Sequence, residues 1–177
     1  SEHPAVYPNR LQEKELSFFF HFGTNDMPHE AVSAYCHAFA APSGGICGEW
    51  TPGYLCYPLA IRHLAQAAPE TKLLAIVRNP VDRFFSAVNH RRDLVDADLG
   101  LRGHRLYLHE TFSVFQVMVA HGLYAGAFQR LLKHFKPSQL LVLQYEQCAR
   151  DPARQLSKTY RFLGIDDAFV PSGLQRR

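Results

Sequence analysis

Apolar residues along the chain fall into two kinds of stretch. Lys72 to Val77 and Leu140 to Gln144 are short and almost unbroken, and apolar character on successive positions predicts parallel strands buried on both faces. Elsewhere the spacing is helical. Val32, Tyr35 and Phe39 share one face of a helix predicted over His29 to Phe39. Further helices are predicted over about Pro58 to Ala67, from Pro80 to about Asp93, over Phe112 to His121, over Tyr124 to Phe135, and from Asp151 to Leu163. Asn79 offers an N-cap ahead of Pro80, whose ring needs no amide partner at the first helical position. Lys136-Pro137-Ser138 ends one helix and Gly164 caps another. Leu16 to Phe22, with its run Phe18-Phe19-Phe20-His21-Phe22, reads as a buried strand or a core-contacting turn. Ser43-Gly44-Gly45 is a turn, and Ile46 to Glu49 a short strand broken by Thr51-Pro52-Gly53-Tyr54. Residues 1–14 read as a loop or short helix, 94–108 as irregular, and the tail after Asp166 as a loop. Helices alternating with short apolar strands predict an α/β fold with a parallel sheet.

Composition narrows this picture. The 177 residues are 47% apolar and 20% charged, with 13 Phe and 8 Tyr, enough for one packed domain over 1–177. A net charge of +3 with ten His suits an anionic ligand. It is too weak, and the pairs Arg91-Arg92 and Arg176-Arg177 too short, for nucleic acid. Cysteines 36, 47, 56 and 148 contain no C-x-x-C pair, so they are expected to be free thiols in a reducing compartment rather than zinc ligands. No apolar run approaches the ~18 residues of a transmembrane segment, and no signal peptide is visible.

The chemistry concentrates in Lys72-Leu-Leu-Ala-Ile-Val-Arg78-Asn79-Pro80-Val-Asp82-Arg83-Phe-Phe-Ser86. A strand brings Arg78 to the carboxyl edge of the sheet, where α/β proteins bind ligands. A helix N-terminus follows and favours negative charge. The Arg78 guanidinium and the Ser86 hydroxyl are suited to a phosphate monoester. An Arg78–Asp82 ion pair with an ordinary helical serine would use the same residues.

This segment resembles the 3′-phosphate motif of the sulfotransferases that use 3′-phosphoadenosine 5′-phosphosulfate (PAPS). More of the chain agrees. Lys14-Glu15-Leu-Ser-Phe18-Phe19 resembles a Lys-Glu-x-x-Phe-Phe stretch of the heparan-sulfate-type and bacterial enzymes. Gly48-Glu49-Trp50-Thr51-Pro52-Gly53-Tyr54 resembles their Gly-Glu-Lys-Thr-Pro-x-Tyr segment. Leu140 to Glu146, Asp151-Pro152 and Phe162-Leu163-Gly164 resemble their last strand and helix. The resemblance implies a P-loop-NTPase-like sulfotransferase fold, a central parallel sheet flanked by helices. Its glycine- and lysine-rich phosphosulfate loop is not found here and is expected upstream of Ser1, so the chain is read as N-terminally incomplete. Trp50 stands where eukaryotic members carry Lys, a form more like bacterial relatives.

By the same resemblance, Arg78 and Ser86 bind the nucleotide, Glu15 is the general base, Lys14 touches sulfonate or substrate, and Glu49, Thr51 and Tyr54 line the acceptor cleft. His21 is the rival base, since histidine as a residue type titrates nearer neutrality than a carboxylate. Tyr124 is read as core packing. PAPS is the co-substrate and no metal is required. The acceptor, a carbohydrate, lipid or small metabolite, presents a hydroxyl or amine. A cytoplasmic enzyme is expected, or one of the Golgi lumen in a eukaryote. A nucleotide-binding module of the same fold without catalysis is the alternative, and a small kinase-like phosphotransferase lacks its Walker-type loop here.

Overall fold

The computed structural model describes residues 2–11, 15–39, 41–98 and 116–174. The fold is α/β. Its strands are β1 (Val6–Tyr7), β2 (Ile46–Cys47), β3 (Leu73–Val77) and β4 (Leu140–Gln144). Its helices are α1 (His29–Ala38), α2 (Pro58–Ala67), α3 (Pro80–Asp98), α4 (Tyr124–Leu131), α5 (Tyr145–Arg150) and α6 (Pro152–Leu163), with residues 116–120 also helical. Among the described residues the strands form two parallel pairs, β1 with β2 and β3 with β4.

The pairing of β3 with β4 runs from Leu73 opposite Leu140 to Val77 opposite Gln144. Both strands therefore end at the same level, and the residues that follow, Arg78 and Tyr145, emerge side by side. The crossover between them carries α3 and α4, as a parallel connection requires. Lys72 braces the start of β3. Its ammonium donates to the carbonyls of Phe162 (2.8 Å) and Leu163 (2.9 Å), which the end of α6 leaves without helical partners. Asp151 caps α6 by accepting from the Arg154 amide at 3.1 Å. Gly164 closes it at φ 82°, a left-handed conformation that costs glycine little.

The core lies on either side of α2. Ala60, Leu64 and Ala67 face Phe19, Met27, Tyr35 and Tyr54. Ile61 turns the other way, toward Leu131, Phe135, Leu73 and Leu140.

Several sequence expectations change. The aromatic run is a core-contacting turn, not a strand: Phe18–Phe20 forms a 3-10 turn in which only Phe19 is buried. Burial of β3 on both faces is not observed. Leu74 and Ile76 are 45% and 62% exposed, while Leu143 beside Ile76 is buried. The strand is apolar throughout and α6 packs against its partner β4, while Leu74 and Ile76 stay part-exposed among the described residues. Val6 and Tyr7, expected in a loop or short helix, pair as a strand with Ile46 and Cys47. The third helix runs to Asp98, past the expected end near Asp93, and α4 ends at Leu131, short of Phe135. The four cysteines are free thiols. No helix among the described residues is long and apolar enough to cross a membrane.

Candidate functional site

The chemistry-bearing residues gather in two clusters. The first forms where β3 and β4 end together. Arg78 follows Val77, and its guanidinium lies 5.0 Å from the centroid of the Tyr145 ring, within range of a cation–π contact. One residue further along each chain, the Asn79 amide donates to the Glu146 carboxylate at 2.8 Å. That bond, then one from Glu146's own amide and last the field of Arg78, holds the Glu146 carboxyl below its ordinary value. The Tyr124 hydroxyl donates to the Arg78 carbonyl at 3.1 Å. Arg78 is thus held from three directions: backbone carbonyl, following amide and guanidinium face.

Immediately after it, the Asn79 side chain accepts from the Val81 amide at 2.9 Å and the Asp82 amide at 3.4 Å. This is the cap expected from the sequence, with Pro80 at the first helical position. Asn79→Ala is expected to cost about 1 kcal/mol of stability, measured as a lower urea midpoint at unchanged slope. Ser86 sits two turns into α3, solvent-exposed, on the helix face that carries Asn79.

The second cluster centres on Glu49, which leaves β2 and precedes the 3-10 turn Pro52–Cys56. Its carboxylate accepts from the hydroxyls of Tyr35 (2.8 Å), Thr51 (2.9 Å) and Tyr54 (3.2 Å). Burial, with the Glu49 charge beside it, pushes the Tyr35 phenol far above its ordinary value. Tyr54 is pushed up to about 12, burial again being the largest cause. The Thr51 and Tyr54 oxygens in turn accept long hydrogen bonds from the amides of Ser17 (3.4 Å) and Phe19 (3.5 Å). Ser17 has φ 51°, uncommon for a residue with a Cβ. Glu15 is exposed just ahead of it, and His21 is exposed just after the turn. Lys14 lies outside the described residues.

A row of rings joins the clusters. Phe20 meets Tyr54 at 5.2 Å and Tyr57 at 5.0 Å, and Tyr57 meets His121 at 6.2 Å. Burial, then the nearby Arg83, keeps His121 below the usual imidazole value. A Cβ on the adjoining Gly122 would stand 3.2 Å from the Pro80 side chain, so the absence of a side chain lets this stretch pack on the first turn of α3. Arg83 holds it by donating to the Met118 carbonyl.

The structure therefore groups Glu49, Thr51 and Tyr54 beside the Glu15 segment, and Arg78 with the start of the helix bearing Ser86. The sequence places Tyr35 only on one face of a helix and Tyr124 only in core packing. Their hydroxyls, bonded to Glu49 and Arg78, are instead polar members of the two clusters. Tyr145 and Glu146 were visible as a motif without a role, and the strand register supplies one.

A parallel strand pair that ends in an arginine and opens at once into a capped helix defines an α/β protein with an anion-receptive turn. A family model described as a sulfotransferase domain matches residues 59–171, well over half of the chain. The chain belongs to the sulfotransferase family. It is 26% identical over 92% of its length to the human bifunctional heparan sulfate N-deacetylase/N-sulfotransferase 3, of which it spans only 20%. It is 32% identical over 69% of its length to the mouse heparan sulfate glucosamine 3-O-sulfotransferase 3B1, of which it spans 32%. A sulfotransferase structure from Alicyclobacillus acidocaldarius superposes with a TM-score of 0.73 at 31% identity, covering 97% of this chain and 76% of that one. The sulfotransferase domain from the curacin biosynthetic pathway, at a TM-score of 0.56 and 20% identity over 80% of this chain and 46% of that one, supports the fold alone.

Proposed function

We propose that this chain carries the 3′-phosphate site and the acceptor-side base of an enzyme that moves a sulfuryl group from PAPS to a hydroxyl or amine. The observation that carries this reading is Arg78, held at the carboxyl edge of β3 by Tyr124, Tyr145 and the Asn79–Glu146 bond. Its guanidinium has a fixed aim beside the N-terminus of α3. A planar fork of donors, a helix start and the exposed Ser86 hydroxyl form a donor set that fits a phosphate monoester.

In the reaction read here, the acceptor oxygen or nitrogen forms a bond to sulfur as the bond from sulfur to the 5′-phosphate oxygen breaks. The leaving group is 3′-phosphoadenosine 5′-phosphate. The acceptor's proton passes to the Glu15 carboxylate. In-line transfer of this kind asks the protein for positioning and charge stabilisation, as in phosphoryl transfer. Arg78 and Ser86 anchor the nucleotide at a phosphate that does not react. Glu49, Thr51 and Tyr54 wall the acceptor side behind Glu15, with Lys14 and His21 in the same stretch. Relatives named for heparan sulfate favour a carbohydrate among the possible acceptors. The bacterial structural relative favours a bacterial enzyme, a cytoplasmic location is kept from the sequence expectation, and residues 1–177 are taken as part of one sulfotransferase domain.

Calorimetry on the full-length protein tests the nucleotide assignment. 3′-Phosphoadenosine 5′-phosphate is expected to bind at least about tenfold more tightly than adenosine 5′-monophosphate, roughly one charge-assisted contact. Equal affinities would remove the 3′-phosphate from the reading.

A further inference from the structure

We infer that Glu49 is a positioning residue which, acting through the hydroxyls of Thr51 and Tyr54, fixes the Ser17–Phe19 backbone and thereby the place of Glu15. The inference rests on the reading of Glu15 as the base, and it concerns a different residue and a different bond network.

The protons available to each group fix the direction of these bonds. A carboxylate only accepts, whereas a hydroxyl has one proton to give. Tyr35, Thr51 and Tyr54 each give theirs to Glu49, at 2.8, 2.9 and 3.2 Å. Thr51 and Tyr54 are left with lone pairs only, and these receive the amides of Ser17 and Phe19. The network therefore has one direction, from backbone amide to hydroxyl to carboxylate, and it ends on a charge. Hydrogen bonds in such a chain polarise one another. Tyr35 and Tyr54 are each only 8% exposed, so water competes poorly for these partners.

One of the two amides belongs to Ser17, the one described non-glycine residue with positive φ, and the other lies two residues on. A residue with a side chain keeps that conformation when its surroundings over-determine it, and such residues cluster at functional sites. Phe19 supplies the second hold, buried at 1% against Tyr35 (4.6 Å between centroids) and Tyr54 (5.2 Å). The same two tyrosines that pack Phe19 also donate to Glu49. The direction in which the chain leaves Glu15, two residues upstream of Ser17, is thus set by the carboxylate of Glu49.

Misplacing a catalytic group by about 1 Å can cost about 10²-fold in rate, so loosening this hold has a kinetic signature. The experiment uses the full-length protein with Thr51→Val, which removes only the hydroxyl, Thr51→Ser, which restores it, and Glu49→Gln. Amide hydrogen exchange at Ser17 and Phe19 is read alongside steady-state kinetics. Thr51→Val and Glu49→Gln are expected to speed exchange at Ser17 at least about tenfold and lower kcat about 10²-fold. The affinity for 3′-phosphoadenosine 5′-phosphate stays within twofold, and Thr51→Ser recovers most of the loss in kcat. In a Glu15→Gln background, Thr51→Val should cost nothing further, because both changes disable one group.

Unchanged exchange at Ser17, or faster exchange with unchanged kcat, overturns the inference. So does a parallel loss of nucleotide affinity, or an additive effect with Glu15→Gln. If the wild-type protein transfers no sulfuryl group to any acceptor, the functional reading fails separately, and the exchange measurement alone then decides whether Glu49 anchors this backbone.

Discussion

Glu15→Gln is expected to lower sulfuryl transfer by about 10²–10⁴-fold, the usual range for removing a general base, with nucleotide affinity unchanged. Gln keeps the shape of the side chain but cannot take the acceptor's proton. The separation of effects follows from the architecture: Glu15 belongs to the segment tied to Glu49 through Thr51 and Tyr54, whereas the nucleotide contacts arise from the end of β3. Single-turnover rates with saturating donor, beside calorimetric titration of 3′-phosphoadenosine 5′-phosphate, measure the two quantities independently. Turnover within threefold of wild type in Glu15→Gln would exclude it as the base and pass the role to His21. Glu15→Asp, which keeps the carboxylate on a shorter stem, should recover part of the rate if position is what matters.

Arg78→Ala is expected to weaken binding of 3′-phosphoadenosine 5′-phosphate by about 2–3 kcal/mol, roughly 30- to 150-fold. The figure sits at the lower end of the roughly 2–5 kcal/mol for truncating one partner of a buried charge pair, because Arg78 is only half-buried and water screens part of the lost interaction. Adenosine 5′-monophosphate, which lacks the 3′-phosphate, should bind wild type and variant alike. Arg78→Lys should restore only part of the affinity, because an ammonium keeps the charge without the planar fork. An equal loss for both nucleotides would mean that Arg78 shapes the site as a whole rather than contacting that phosphate.

The local punctuation of this chain was legible. The cap at Asn79, proline at the start of α3, the Asp151 cap and the glycine ending α6 depend on a few adjacent residues and are realised as expected. What depends on distant partners was not. Alternation could not choose between strand and turn for Phe18–Phe20, because the deciding contacts come from Tyr35 and Tyr54, both more than a dozen positions away. Apolar residues at every position of β3 read as burial on both faces, yet which positions are covered depends on elements distant in sequence, and Leu74 and Ile76 stay part-exposed. At the site, motif matching brought out Glu49, Thr51, Tyr54, Arg78 and Ser86 as residue types. It could not show that Tyr35 completes the set around Glu49 or that Tyr124 and Tyr145 hold Arg78. Those roles come from the β3–β4 register and from packing across the core, which no local window of sequence contains.

The open face of β3 bears on how the nucleotide site behaves in a test tube. Leu74 and Ile76 form an uncovered aliphatic strip on the strand that delivers Arg78, and β3 is an edge strand of its described pair. Exposed apolar edges pair readily with copies of themselves. Residues 1–177 handled alone carry that strip on the strand that leads into Arg78, so nucleotide titrations of this segment and of the full-length protein are comparable only when each is run at two protein concentrations.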